Sequence, residues 1–131
     1  MKLLLDTCTY IWLVDNSALL SAAAREALRT TDHSRHLSAI SVSEVHRLIR
    51  KGRLAIHAPR GLDVWFETGF ANHGVAPEAI TWRIAHAAEM LPAIHNDPAD
   101  RYIIATAQRL DAAIVTPDNS IPRYPGVEVI W

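Results

Sequence analysis

Cysteine is almost absent. Cys8 stands alone in a chain of 131 residues, so no internal disulfide can form and a reducing compartment suits the thiol. Lysine occurs only at Lys2 and Lys51, and the glycines build no phosphate loop, since neither GxxxxGK nor GxGxxG is present. Long apolar runs are missing as well: nothing approaches the ~18 uninterrupted apolar residues that a membrane span requires. The opening segment "MKLLLDTCTYIWLVD" starts like a signal peptide, but Asp6 and Asp15 interrupt its apolar stretch, so a cytoplasmic location is expected. There is little net charge either. At −1 the chain exerts no global attraction on nucleic acid, and any such contact must come from a local patch or a partner subunit.

What the chain has is apolar residues, 50% of the total against 21% charged, which marks a globular protein. Its length fits one domain over residues 1–131, large enough to bury roughly two-thirds of the surface its unfolded form exposes. "KLLLD" (2–6), "HLSAIS" (36–41), "VAP" (75–77), "AAIVT" (112–116) and "VEVIW" (127–131) read as short strands. Helical spacing predicts helices over 21–30, from Val42 to a stop at Gly52, over 60–74, over 77–91, and from Pro98 to about Leu110. This alternation predicts an α/β fold: a short, mostly parallel central sheet flanked by helices on both faces. The strand order cannot be read from the pattern.

The acidic residues fall at the ends of these elements. Asp6 ends the first strand, Glu44 lies in the first turn of the helix after "HLSAIS", Asp97 and Asp100 open the helix before "AAIVT", and Asp118 follows that strand. In open α/β sheets the ligand crevice lies beyond the carboxyl ends of the strands, where these residues can converge. Two carboxylates 4 Å apart repel by about 4 kcal/mol at an effective dielectric of 20, and a divalent cation reverses that sign. Mg²⁺ takes one or two carboxylates, keeps several waters, and leaves room for phosphate oxygens. Metal-assisted phosphodiester hydrolysis is the chemistry such a cluster serves.

Each acid also has a plainer role. Asp6 can cap a helix starting at Thr7, and Glu44 can pair with Arg47 on the helix surface. Asp97 suits an N-cap with Pro98 following, Asp100 then imitates a capping box, and Asp118 in "TPDNS" suits a turn. "HRLIRKGR" (46–53) gathers Arg47, Arg50, Lys51 and Arg53, either as a basic patch for phosphates or as cations placed against the helix dipole. The histidines (33, 36, 46, 57, 73, 86 and 95) show no zinc spacing and read mostly as surface or packing residues; His95, beside the acidic helix start, is placed to touch a substrate. Cys8 has no identifiable partner base and is not expected to act as a nucleophile.

Taken in order, "LLLDTCTYIWL", "AISVSEVHRLIRKGRL", "LPAIHNDPADRYIIATAQ" and "IVTPDNSIPRYPGVEVIW" resemble the PIN-domain family, and within it the VapC-type toxins of prokaryotic toxin–antitoxin systems. The resemblance covers nearly the whole chain. Its most specific part is the LPxxHxDPxDRxxIAxA segment, followed by TxD and a terminal VxxIW. It implies a Mg²⁺- or Mn²⁺-dependent endoribonuclease whose catalytic acids are Asp6, Glu44, Asp100 and Asp118. Asp6, Asp100 and Asp118 would hold the metal, Glu44 would complete its shell or orient water, and Asp97 and Thr116 would support them. Arg47, Arg50 and Lys51 are the candidates for steering RNA phosphates. The resemblance also implies a homodimer and inhibition by a small VapB-type antitoxin whose C-terminal segment obstructs the site.

Two other readings remain at this level. A phosphoacceptor domain built on Asp6 needs a second acid two residues on, where Cys8 stands, and a late lysine that the chain lacks. A catalytically silent interaction module would bind a protein partner through its apolar helices and cleave no RNA.

Overall fold

The computed structural model describes residues 1–94 and 97–131; His95 and Asn96, and with them the substrate contact expected of His95, lie outside the described residues. Five strands, β1 (Lys2–Leu5), β2 (Ser34–Ser38), β3 (Val75–Glu78), β4 (Ala113–Val115) and β5 (Val129–Ile130), form one sheet in the order β3-β2-β1-β4-β5. All four pairings are parallel. Because β1 is central and buried on both sides, it needs no polar alternation, which is why "KLLLD" is a continuous apolar run. Leu3, Leu4 and Leu5 are fully buried, and each contributes about 1.5–3 kcal/mol of hydrophobic stabilisation.

Alternation along β1 divides the core in two. Leu3 and Leu5 pack with Tyr10, Val45 and Phe66, from α1 (Thr7–Val14), α3 (Ala39–Arg50) and α4 (Leu62–His73); α2 (Ala22–Arg29) adds Ala24 and Leu28. Leu4 faces the other way, against Ile103 and Ile104 of α6 (Pro98–Leu110) and Ile121 and Tyr124 of the following 3₁₀ turn. Over α6 lies α5 (Trp82–Met90), joined through Ile84, Ala88 and Ala105. Helices therefore cover both faces, as the strand patterns predict.

Gly69 sets how closely α1 and α4 approach. A Cβ there would overlap the Tyr10 hydroxyl and sit 3.3 Å from Val14 Cγ2. That hydroxyl is buried and has no hydrogen-bond partner among the described residues, a cost accepted in return for a ring that stacks on Phe66 and meets Trp65 edge-on.

Two boundaries shift most from the sequence expectation. The "HLSAIS" strand ends at Ser38, whose side chain caps α3 by accepting from the Ile40 N–H (3.2 Å), so the helix begins at Ala39 and Glu44 lies in its second turn. The helix expected from Pro77 begins at Trp82, capped by Thr81, because Pro77 and Glu78 are drawn into pairing with Leu37 and Ser38. The N-terminal side of α6 is as expected: Asp97 accepts from the Ala99 N–H at 2.9 Å and Pro98 opens the helix. Among the described residues no helix is long and apolar enough to cross a membrane.

Candidate active site

The sheet order reverses direction about β1: β2 and β3 lie to one side, β4 and β5 to the other. Such a switch point leaves a crevice beyond the carboxyl ends of the strands. Asp6 stands there, tied to β4 by its N–H to the Val115 carbonyl at 3.1 Å. Thr116, the residue after β4, is consequently its neighbour.

Asp6 is held from several sides. Its Oδ1 accepts from the Thr7 N–H at 2.7 Å, and its Oδ2 from the Thr116 hydroxyl at 2.6 Å and the Cys8 thiol at 3.9 Å. Burial raises its pKa above the ordinary 3.8, opposed by the bonds from Thr116 and Thr7 and reinforced by the charge of Asp118. The Thr116 hydroxyl has one proton, given to Asp6, and accepts from the Asp118 N–H at 3.1 Å. One side chain thus couples the two acids.

Glu44 reaches the same place from α3. Its Oε1 accepts from the Thr7 hydroxyl at 2.7 Å, and Ser41 lies 2.9 Å from that hydroxyl. With Glu44 ionised, Thr7 donates to it and Ser41 donates to Thr7, a short relay of buried hydroxyls. The Glu44 pKa is raised by burial, lowered by the Thr7 bond, raised by the charges of Asp6 and Asp97, and lowered by Arg47. The surface pairing with Arg47 is therefore a secondary influence, and the Thr7 bond fixes the carboxylate.

Asp100, on the first turn of α6, completes a close group: one oxygen each from Asp6, Glu44 and Asp100 lie within 4.8 Å of one another. Asp118 stands outside this tight trio but lines the same cavity of about 300 Å³, with Thr7, Cys8 and Pro117. Its Oδ1 accepts from the Ser120 N–H (2.8 Å) and the Ser120 hydroxyl (2.7 Å), so the turn role and a place at the cavity coexist. Asp97 caps α6 and lines an adjoining cavity together with Arg47, Lys51 and Arg53; Arg50 is exposed and borders neither.

The donors fit a hard divalent cation. They are carboxylate oxygens, and mutual repulsion is strong without a counter-charge. Cys8 is the soft atom at the rim, and burial, then the Asp6 charge, pushes its thiol up to about 12, so it remains a thiol at neutral pH. Thr7, Ser41 and Ser120 are the functional side chains that pattern reading did not single out. The one local signal was a hydroxyl directly after Asp6.

A model of the PIN domain matches residues 3–127. The chain belongs to the PIN domain family. Solved structures of the same fold include VapBC2 from Rickettsia felis bound to a DNA fragment from its promoter, with TM-score 0.67, 14% identity, and coverage of 98% of this chain and 97% of that one. A toxin–antitoxin complex from Klebsiella pneumoniae has TM-score 0.61 at 21% identity, covering 95% and 93%. FitAcB from Neisseria gonorrhoeae has TM-score 0.61 at 22% identity, covering 97% and 95%. No curated protein matches the sequence. At these identities the likeness concerns the PIN fold, and the site of this PIN domain rests on its own residues.

Proposed function

We propose that this PIN domain is a metal-dependent endoribonuclease, the toxin of a VapBC-type pair, cleaving RNA phosphodiesters with water. The carrying observation is the meeting of Asp6, Glu44 and Asp100 within 4.8 Å at the switch point of the sheet. Structural neighbours described as toxin–antitoxin complexes support the biological setting, with a VapB-type antitoxin as partner. A homodimer acting in the cytoplasm completes the reading.

In this reading Asp6 and Asp100 would hold Mg²⁺ or Mn²⁺, with Asp118 contributing from the same cavity wall. Such an ion supplies charge that polarises a phosphodiester and acidifies water. Thr116 keeps Asp6 and the Asp118 backbone in register, while Ser120 fixes one Asp118 oxygen. Glu44, with Oε1 held by Thr7, has its other oxygen left to join the metal ligands or to orient water, the two roles it would have. Of the three cations expected to steer RNA, Arg47 and Lys51 border the adjoining cavity and Arg50 does not.

The test is cleavage of total cellular RNA by purified protein in Mg²⁺, in Mn²⁺ and in EDTA. Activity is expected with either ion and is expected to vanish in EDTA. Asp6→Asn and Asp100→Asn should each lower the rate by at least about 100-fold, the size of effect seen when a charge-stabilising group is lost. Undiminished cleavage by Asp6→Asn in EDTA would sink the proposal, and metal binding without cleavage of any RNA would favour the silent module.

A further inference from the structure

Two cavities meet at Glu44 and Leu48. One, about 300 Å³, is walled by Asp6, Glu44, Asp100 and Asp118. The other, about 310 Å³, carries Arg47, Lys51 and Arg53, with Asp97 and Pro98 across from them. Carboxylates dominate the first, and cations outnumber carboxylates in the second.

Helix geometry explains which cations arrive. At 3.6 residues per turn, Lys51 lies about 20° from the direction of Glu44, whereas Arg50 lies roughly 120° away. Arg53 is beyond the helix, yet it returns to the same side. Gly52 adopts φ +71°, and the Arg53 N–H donates to the Leu48 carbonyl at 2.9 Å, the backward-folding bond of a glycine-ended helix. Leu48 is, with Glu44, shared by both cavities, so the turn delivers Arg53 to the boundary. No Cβ contact lies within 4 Å of Gly52, so glycine is required there by backbone conformation and not by space.

We propose that the Arg47–Lys51–Arg53 cavity is a phosphate subsite for single-stranded RNA, taking the phosphate next to the one presented to the acids. The inference rests on the nuclease reading and deepens it. Arginine offers a planar fork for phosphate oxygens and lysine a mobile point charge, the combination suited to a flexible backbone. RNA is favoured over an acidic protein segment because a polymer crossing the acidic cavity for cleavage must continue into its neighbour. Arg53 and Lys51 are then positioning residues.

The experiment follows a fluorescein-labelled single-stranded RNA by anisotropy in EDTA, with the full chain carrying Asp100→Asn to stop turnover, between 0.05 and 0.4 M salt. Each phosphate contact on a single strand contributes ~0.7 to the log–log salt slope, about 5-fold in affinity at 0.1 M salt relative to 1 M. Lys51→Ala and Arg53→Ala should each show that loss and a slope shallower by about 0.7, and together about 25-fold. Arg53→Lys should restore much of the binding, and Arg50→Ala should leave it unchanged. Circular dichroism melts establish that each variant is folded. Equal loss in Arg50→Ala overturns the subsite, as do unaltered slopes in Lys51→Ala and Arg53→Ala, or loss of binding to a labelled polyglutamate peptide with RNA binding intact. If the unsubstituted chain cleaves no RNA in Mg²⁺ or Mn²⁺, the nuclease reading falls, while the binding slopes still decide the subsite.

Discussion

Replacing Thr116 by valine tests the coupling of Asp6 to Asp118. Valine keeps the branched shape, so a site only 1% exposed gains no cavity. The change deletes the 2.6 Å bond to Asp6 and removes the acceptor 3.1 Å from the Asp118 N–H. A hydrogen bond to a charged group contributes about 1.5–3 kcal/mol and loss of an acceptor for a half-buried N–H costs about 1, so roughly 2–4 kcal/mol should be lost. With an unfolding entropy near 2.1 cal/mol/K per residue, that corresponds to a Tm fall of about 7–14 °C, read by calorimetry in EDTA. The pH dependence has a definite sign. The folded Asp6 pKa is raised above 3.8 by burial, so the metal-free fold loses stability as pH rises through that window. The Thr116 bond opposes this rise by favouring the charged carboxylate, and its contribution is present only where Asp6 is ionised. The gap between Thr116→Val and the parent should therefore be widest in alkaline buffer and narrow as pH falls through the raised Asp6 pKa. Thr116→Ser should recover most of the loss. A Tm fall below about 2 °C, or a gap that ignores pH, would refute the reasoning.

At the α1–α4 contact, Gly69→Ala should destabilise by about 1–3 kcal/mol from overpacking against Tyr10, less the ~1 kcal/mol that alanine gains in a helix. Tyr10→Phe, which removes a buried hydroxyl with no partner, should be neutral or stabilising by about 1 kcal/mol, and combining it with Gly69→Ala should recover stability in urea melts. A clear destabilisation by Tyr10→Phe would mean that the hydroxyl has a partner. Cys8, with its thiol pushed up to about 12, should alkylate slowly at pH 8 and still accelerate at pH 10, and Asp6→Asn should speed it; a plateau below pH 9 would contradict the burial argument.

How much of this was legible in the sequence depended on whether the cause was local. The start of α6 was readable because Asp97, Pro98 and Asp100 carry their own capping chemistry. The end of β2 was not, since "HLSAIS" suits a strand or a helix start equally and Ser38 decides it by a cap. Nor was the late start of α5, because Pro77 and Glu78 answer to β2, some forty residues upstream. The placement of Asp6 and Asp118 at strand ends was visible, whereas Glu44 stands midway along α3 and not in its first turn. Their hydroxyl supports were not, since Thr7 and Ser41, |i−j| = 34, meet only once α1 and α3 pack. Arg53 was seen as part of a basic patch, while its return toward Leu48 through Gly52 belongs to the folded chain.

The central position of β1 also governs when the acidic site can assemble during synthesis. β1 is made before both of its neighbours and can pair early with β2, but β4, its other neighbour, is made long afterwards. Asp6 and Asp118 are separated by roughly 110 residues, about 6–20 s of translation at typical rates. Until β4 docks, Asp6 lacks its bond from Thr116 and the acidic cavity lacks one wall. A nascent chain thus lacks the assembled acidic site, which closes only after β4 has emerged and docked beside β1. Any product terminated before β4 would lack the site for the same reason.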